Sequence, residues 1–461
     1  MDVPTLNIAI LAAGRGKRMH SEKPKVLHRL AGKPLLCHVL DTARALSPNK
    51  ICIIFGHGGE VVRQAIGDPS LTWVQQEPQL GTGHALMQAL PYLGSEGATL
   101  VLYGDVPLTA LSTLNRLLTV ADGETLGLLT VELADPFGYG RILRNAAGEI
   151  TAVVEEKDAS SSERNIREVS TGIVVIPNRY IHSWLNRLEN SNAQKEYYLT
   201  DIVALAVKDN VKIVTGQPER VWEISGINSK SQLAELERIY QKECANTLLE
   251  QGVTLADPSR IDVRGVLTCG RDVEIDIDCI FEGDVHLGDG VKVGAHSILR
   301  DVKIAAGSAV APFSLIESTE IGENCRVGPY ARIRPGTKLD NDVHIGNFVE
   351  VKNSAIAAGS KANHLSYIGD TVIGKRVNIG AGTITCNYDG ANKHQTIIED
   401  DVFVGSDTQL VAPVKVAQGS TIGAGSTITR DTPPETLTLS RARQMSVDGW
   451  KRPVKKEKGE K

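Results

Sequence analysis

The sequence predicts two folds in one chain: an α/β unit with a mostly parallel sheet over residues 1–228, then a parallel β-helix of hexapeptide repeats over residues 252–450. Three observations carry this. Short β-rich apolar runs alternate with amphipathic segments in the first half. One stripe of helical period follows. Beyond it, aliphatic residues recur every six positions. At 461 residues, 41% of them apolar and 23% charged, the chain is globular and too long for one ordinary core.

In the first half the runs LNIAILAA, KICIIFG, TLVLYGD, LGLLTVEL and TGIVVIP are bounded by Gly, Pro or Asp. Between the first two, Leu35, Leu36, Val39, Leu40 and Ala43 recur at helical spacing. Strand, helix, strand in this order predicts a parallel sheet with helices on both faces. Residues 229–251 read as one helix and a rigid connector. Ser229 and Gln232 have capping-box spacing; Leu233, Leu236, Tyr240, Cys244 and Leu248 form a stripe; Gly252 is a stop.

From Leu287 the grammar changes. Ile321, Val327, Ile333, Leu339, Ile345 and Val351 are six apart, as are Val404, Leu410, Val416, Ile422 and Ile428. Occasional steps of five are regular, because 287 to 304, 304 to 321, 339 to 356 and 356 to 373 each span 17 residues. Six is neither a helical nor a simple strand period. Three short faces per coil of 17 or 18 residues account for it. Between Ile379 and Val404 the phase breaks over 25 residues, in a Gly- and Asn-rich stretch. Insertions in a solenoid lie on one face, often the binding face. The tail at 451–461, KRPVKKEKGEK, is charged and apolar-poor, and is expected to be mobile.

Composition excludes several classes. A net charge of -5 argues against general nucleic-acid binding. No run of 18 apolar residues exists, so no membrane insertion is expected. Seven scattered cysteines without a C-x-x-C pair fit a reducing compartment, and the N-terminus lacks a signal-peptide layout. The default is a cytoplasmic protein.

The chemistry begins at ILAAGRGKRM, from Ile10 to Met19. Two glycines and three cations leave an apolar strand. Met19 stands where a dinucleotide fingerprint needs its last Gly, and the downstream AGKP lacks P-loop spacing. Read alone, Gly14-Arg15-Gly16 is an ordinary tight turn with solvated cations. Arg15, Arg18 and, in the following KPK, Lys25 shift the reading towards phosphate. Of the three cations in the turn, Arg15 and Arg18 are expected to meet it and Lys17 to face water. Asp105 closes the run TLVLYGD, at a strand end where open α/β sheets bind ligands; a strand-end cap is the alternative.

In the repeat half the stretch 332–388 is unusually polar. Arg334, Lys352, His364, Tyr367, Asn378, Asn387 and Tyr388 recur about one coil apart, which stacking can bring onto one line. Acyl transfer to an amine needs a base, and His is suited to that role. A lone His is more often structural, and eleven exist here; His364 stands out through its company. Cys386 reads as a buried neighbour without a thiolate-stabilising partner.

LAAGRGKRM followed by KPK resembles the signature of sugar-nucleotide pyrophosphorylases. With the hexapeptide half behind it, almost the whole chain resembles the bacterial bifunctional N-acetylglucosamine-1-phosphate uridyltransferase/glucosamine-1-phosphate acetyltransferase family. That resemblance implies a Rossmann-like nucleotidyltransferase domain, a linker helix and a left-handed β-helix. It implies acetyl transfer from acetyl-CoA to glucosamine 1-phosphate, then uridylyl transfer from UTP giving UDP-N-acetylglucosamine and pyrophosphate. It further implies a product that feeds peptidoglycan and lipopolysaccharide precursors.

By the same resemblance, Leu11, Ala12, Ala13, Gly14, Arg15 and Lys25 would hold the uridine and phosphates, with Arg18 and Lys25 stabilising the reaction's charge. Gln76, Gly81 and Thr82 would recognise uracil. Tyr103, Gly104 and Asp105 form the YGD motif, where Asp105 with Asn228 would bind Mg²⁺. Gly140, Glu155 and Ser170 would line the sugar; the family carries Asn where this chain has the shorter Ser170. In the second half His364 would be the general base, and Arg334, Lys352, Tyr367 and Asn378 would bind glucosamine 1-phosphate. Asn387 and Tyr388 would complete that pocket and, with Ala381, Ser406, Ala424 and Arg441, contact acetyl-CoA. A homotrimer is implied, with three flat faces suited to a threefold axis. The competing reading is a single-activity nucleotidyltransferase whose repeats only regulate or oligomerise. The His364/Lys352/Asn387 constellation and the loop at 383–400 separate the two.

Overall fold

In the computed structural model, which describes residues 5–455 except Arg15 and His57, the five central residues of β1 (Leu6–Ala12) are all buried. Such a segment needs cover on both faces, and β1 lies inside a nine-stranded sheet. On one side β2 (Lys50–Phe55) and then β3 (Thr72–Gln75) continue the sheet in parallel; β4 (Ala98–Tyr103) is parallel on the other. The remaining strands are β5 (Leu126–Glu132), β6 (Gly140–Arg144), β7 (Ile150–Val154), β8 (Glu168–Pro177) and β9 (Ile213–Gly216). The order is β9-β5-β8-β4-β1-β2-β3, with β8 antiparallel to both neighbours and the β6–β7 hairpin attached to the start of β8.

The helices are α1 (Leu35–Ala45), α2 (Gly59–Ile66), α3 (Thr82–Leu93), α4 (Leu111–Ala121), α5 (Asn178–Leu185), α6 (Ile202–Lys208) and α7 (Lys230–Glu250). Strand alternation divides the core. Ala9 and Leu11 of β1 face α3, α5 and α6; Ile8 and Ile10 face α1, α2 and α4. After β3 the chain returns past β1 to form β4. The strand order therefore reverses between β1 and β4, where such sheets open a crevice beyond their carboxyl ends.

The chain divides into two compact units at Cys244/Ala245, inside α7. The first half of α7 is no bare spacer: Leu236 is buried with Met19, Leu30, Leu35 and Ile227. Its start is capped by Ser229, whose Oγ accepts the Gln232 N–H at 3.2 Å. The Gln232 side chain accepts from Asn228 N–H at 2.8 Å, one residue earlier than a capping box requires. The cap thus holds the backbone of Asn228.

In the second unit every strand pairing in register is parallel. Eleven short strands, from Thr254–Leu255 to Leu437–Thr438, stack into one face. Early coils run through the other two faces in one strand, as in Leu315–Ile321, which pairs Arg332–Ile333 with its first part and Thr337–Leu339 with its second. The six-residue aliphatics point inward: Val327, Ile333, Leu339, Ile345 and Val351 are all buried. Residues 326, 344, 361, 378, 403 and 421 are register partners in succession, so the 25-residue interval occupies a single coil. Residues 451–455 carry no strand or helix; 456–461 lie outside the described residues.

Met19 anchors the turn that carries Lys17 and Arg18. Met19→Ala is expected to cost about 2–5 kcal/mol, read as a lower urea midpoint for the α/β unit.

Candidate active sites

The crevice beyond β1 and β4 is a cavity of about 260 Å³. Of the residues that the resemblance assigns to the nucleotide, 11–14, Lys25, Gln76, Gly81, Thr82, Tyr103 and Asp105 line it; Gln79 and Glu196, which it does not assign, line it too. Lys25 sits on a short turn held by buried Val26 and Leu27. Its ammonium ion-pairs with Asp105 and donates to Asn228 Oδ1 at 3.0 Å. The Asp105 carbonyl accepts the Ile227 N–H at 2.9 Å, which sets Asn228 beside Asp105. Two oxygens from segments far apart in sequence therefore converge on one cation.

The glycines of the turn differ in purpose. Gly16 has φ +58°, and a Cβ there would stand 2.9 Å from Lys25 Cβ, so the fold requires it. A Cβ on Gly14 would meet nothing nearer than Lys25 Nζ at 3.7 Å, so its bareness serves the cavity instead. Arg18 is exposed and off the cavity wall. Arg15 and the Lys17 side chain lie outside the described residues.

At the other end of the cavity, buried Gln76 donates from Nε2 to the Gly81 carbonyl at 2.9 Å. Residues 197–199 strap the start of α3: Tyr197 N–H donates to Leu80 O and Gly83 N–H to Tyr197 O, both at 2.8 Å, and Leu199 N–H donates to Thr82 Oγ1 at 3.1 Å.

The third group forms across strands. Ser170 on β8 pairs directly with Gly140 on β6. A Cβ on Gly140 would lie only 2.9 Å from Val153 Cγ1, so the glycine leaves room for Val153; Glu155 Oε1 stands 3.4 Å from the same point, an ordinary contact. Thr200, also unforeseen, donates to Glu155 Oε1 at 2.8 Å. Burial raises the Glu155 carboxyl, against the Thr200 hydroxyl. Burial, then Glu155 and Asp158, push Asp201 up to about 6. The Tyr103 phenol is raised by burial, and next by the negative charges of Glu155 and Asp105.

In the second unit Tyr367 is a register partner of Glu350, and Lys352 of Gly369, on one face. His364 is a partner of Asn347 and Asn378 of Lys361, on the next. His364 Nδ1 lies 3.0 Å from Asn347 Oδ1, which can only accept; in the neutral ring this places the proton on Nδ1 and the lone pair on Nε2. Arg334 pairs with Glu350 at 2.8 Å. Asp370 gathers Asn387, Asn353 and Lys352. Lys393, unforeseen, stands against Lys352, whose like charge holds its ammonium below the ordinary range. The insertion folds on itself: Tyr388 Oη donates to Gly390 O at 2.6 Å, and His394 and Asp389 are 2.6 Å apart. Burial raises the Cys386 thiol, which suits a bystander.

Ala381, Ser406 and Ala424 occupy one corner of successive coils. Asp407 N–H donates to Ala381 O at 2.7 Å, Gly425 N–H to Ser406 O at 2.8 Å, and Arg441 Nη1 to Ala424 O at 2.7 Å. A Cβ on Gly380 or Gly405 would strike the next coil's backbone at 2.6 or 2.5 Å.

A crevice for a nucleotide on a reversed parallel sheet, joined to a hexapeptide coil with a poised imidazole, defines a two-part transferase. Residues 8–253 match the MobA-like NTP transferase domain, and 318–353 and 395–430 match the bacterial transferase hexapeptide (six repeats). The chain is 73% identical over 454 residues to the bifunctional protein GlmU of Nitrosospira multiformis, covering 98% of this chain and 99% of that one. It is 65% identical to that of Nitrosomonas eutropha, covering 98% and 99%, and 63% identical to that of an Azoarcus species, covering 98% and 100%. The chain belongs to the bifunctional GlmU family. It is a nucleotidyltransferase and acetyltransferase in one chain, serving UDP-N-acetylglucosamine synthesis.

Asp201 makes a pH prediction. Its folded value of about 6 lies above the ordinary 3.8, so between them the folded chain keeps a proton that the unfolded chain has lost. Its contribution to stability is full below about pH 4 and is lost as pH rises through 6. Asp201→Asn should gain on wild type between pH 4 and 7.5, seen as a rising difference in urea midpoints.

Proposed function

We propose that the α/β unit takes UTP and N-acetylglucosamine 1-phosphate, and that the hexapeptide unit acetylates glucosamine 1-phosphate, through the residues placed above. The convergence of Lys25, Asp105 and Asn228 at the carboxyl end of β4 carries the first half. Uracil lies against Gln76, Gly81 and Thr82, and the triphosphate crosses residues 11–14. Arg18, exposed beside the cavity, turns to the triphosphate once it is bound, and Arg15 is assigned the same part. Gly140, Glu155 and Ser170 hold the sugar. A phosphate oxygen of the sugar phosphate attacks the α-phosphorus and pyrophosphate leaves, with no protein nucleophile needed. Lys25 moves from Asp105 to the phosphates and offsets charge there.

Asp105 and Asn228 offer hard oxygens that already share one cation, and so suit Mg²⁺, which leaves its other positions to phosphate and water. Among the described residues no group of three or more His, Cys, Asp or Glu could hold a metal by itself, in keeping with a shared site. When bound, the ion neutralises triphosphate charge.

In the second unit Arg334 and Lys352 bind the phosphate of glucosamine 1-phosphate, with Tyr367, Asn378, Asn387 and Tyr388 around the sugar. His364 Nε2 takes a proton from the amine as the amine nitrogen attacks the thioester of acetyl-CoA; the coenzyme departs as the thiolate and receives that proton to become the thiol. The cofactor chain lies along the corner of Ala381, Ser406 and Ala424, with Arg441 at its end. The active form is a homotrimer. An exposed column of rings supports this: His296, Phe313, Tyr330 and Phe348 stack at 4.8, 5.0 and 5.2 Å and lead to exposed Leu365, beside His364. A second copy seated on that column would cover the His364 face. Seven free cysteines support a cytoplasmic place; among the described residues no helix is long and apolar enough to cross a membrane.

Asp105→Ala should lower uridylyl transfer at least about 100-fold while acetyl transfer persists, and His364→Ala should do the reverse, each followed by product release from UTP or acetyl-CoA. Tyr330→Glu should shift the mass by light scattering from three chains towards one.

A further inference from the structure

We infer that His84 is a positioning residue for base selection, locking the Gln76 amide so that only its oxygen is offered to the nucleobase. This rests on the reading that Gln76 meets the base.

Gln76 is buried, and its amide has two N–H groups and one oxygen. The Gly81 carbonyl, 2.9 Å from Nε2, can only accept; that end of the amide is therefore the NH₂. The second N–H points to His84 Nδ1, 3.2 Å away. Both donors are then used, and only Oε1 is left for a ligand. Uracil offers an N–H at N3 and pairs with that oxygen. Cytosine offers a lone pair at N3 and meets another lone pair.

His84 can accept only with its proton on Nε2; the half-buried Gln88 amide stands with its Nε2 3.2 Å from that nitrogen and 3.3 Å from the His84 carbonyl, and gives up the carbonyl contact to turn its oxygen to the ring when Nδ1 accepts. The imidazole sits in the first turn of α3, one helical turn before Gln88, and its face lies 6.2 Å from the Tyr197 ring. Gly81 alone would hold one N–H and leave the other unpaired beside the base. His84 completes the lock from behind, without touching the ligand.

The test compares kcat/KM for UTP and CTP in wild type, His84→Leu, His84→Asn and Gln76→Leu. The UTP:CTP ratio does not depend on the folded fraction, so a partly unfolded variant still reports. His84→Leu should lower the ratio roughly five- to tenfold, the scale of one neutral hydrogen bond. His84→Asn, whose Oδ1 stands close to the lost Nδ1, should keep it within about twofold. A wild-type ratio in His84→Leu, or an equal fall in His84→Asn, overturns the inference alone if Gln76→Leu still collapses the ratio. If Gln76→Leu leaves the ratio unchanged, the base-side reading falls, and the inference with it.

Discussion

Parallel backbone pairing is the constraint on which both units depend. Parallel strands need a crossover between neighbours, so their carboxyl ends all open on the same side. In the first unit this gathers Tyr103, the turn after Ala12 and the cavity at one edge. In the second, the crossover is the coil itself. Each N–H returns to a carbonyl one coil away, so residues 17 or 18 apart share a position. Side chains inherit their neighbours from that ladder: His364 meets Asn347 because their backbones are partners.

Charge is handled at each site by pairing groups before any ligand arrives, whether largely buried, as Lys25 with Asp105, or half-exposed, as Arg334 with Glu350. Lys25 compensates Asp105 and Asn228; Arg334 is matched by Glu350; Lys352 and Lys393 share Asp370. Where a carboxyl has no cation, as at Glu155 and Asp201, burial raises its pKa instead. The first unit thus holds both arrangements: an exchangeable cation at Asp105 and Asn228, and protonatable oxygens at Glu155 and Asp201.

Much of this was legible because burial leaves a period. The β1 run, the α1 stripe and the six-residue aliphatics each report which side chains face inward. The 25-residue phase break was equally plain, because a solenoid has no other place for such an interval. What stayed hidden depends on register and loop closure. Nothing local tells that Ser170 stands across from Gly140, since that pairing belongs to an antiparallel β8 among parallel strands. Thr200 and Glu196 carry no motif; they matter because a strap folds back onto α3. Lys393 reaches Lys352 only through the shape of the insertion. Gln232 has the right spacing for a capping box, yet its side chain bonds Asn228, because the turn at 227 is already tied to Asp105.

The insertion itself has a wider consequence. On either side of residues 387–395 the ladder resumes without a slip: Asn378 still faces Phe403, and Ile384 still faces Gln409. A coil can therefore lengthen at one corner while its neighbours keep their inward-facing residues. In such an architecture new chemistry is acquired by outgrowth rather than by rebuilding. The stack conserves its geometry as a scaffold, and variation is confined to excursions that the hydrophobic interior never registers.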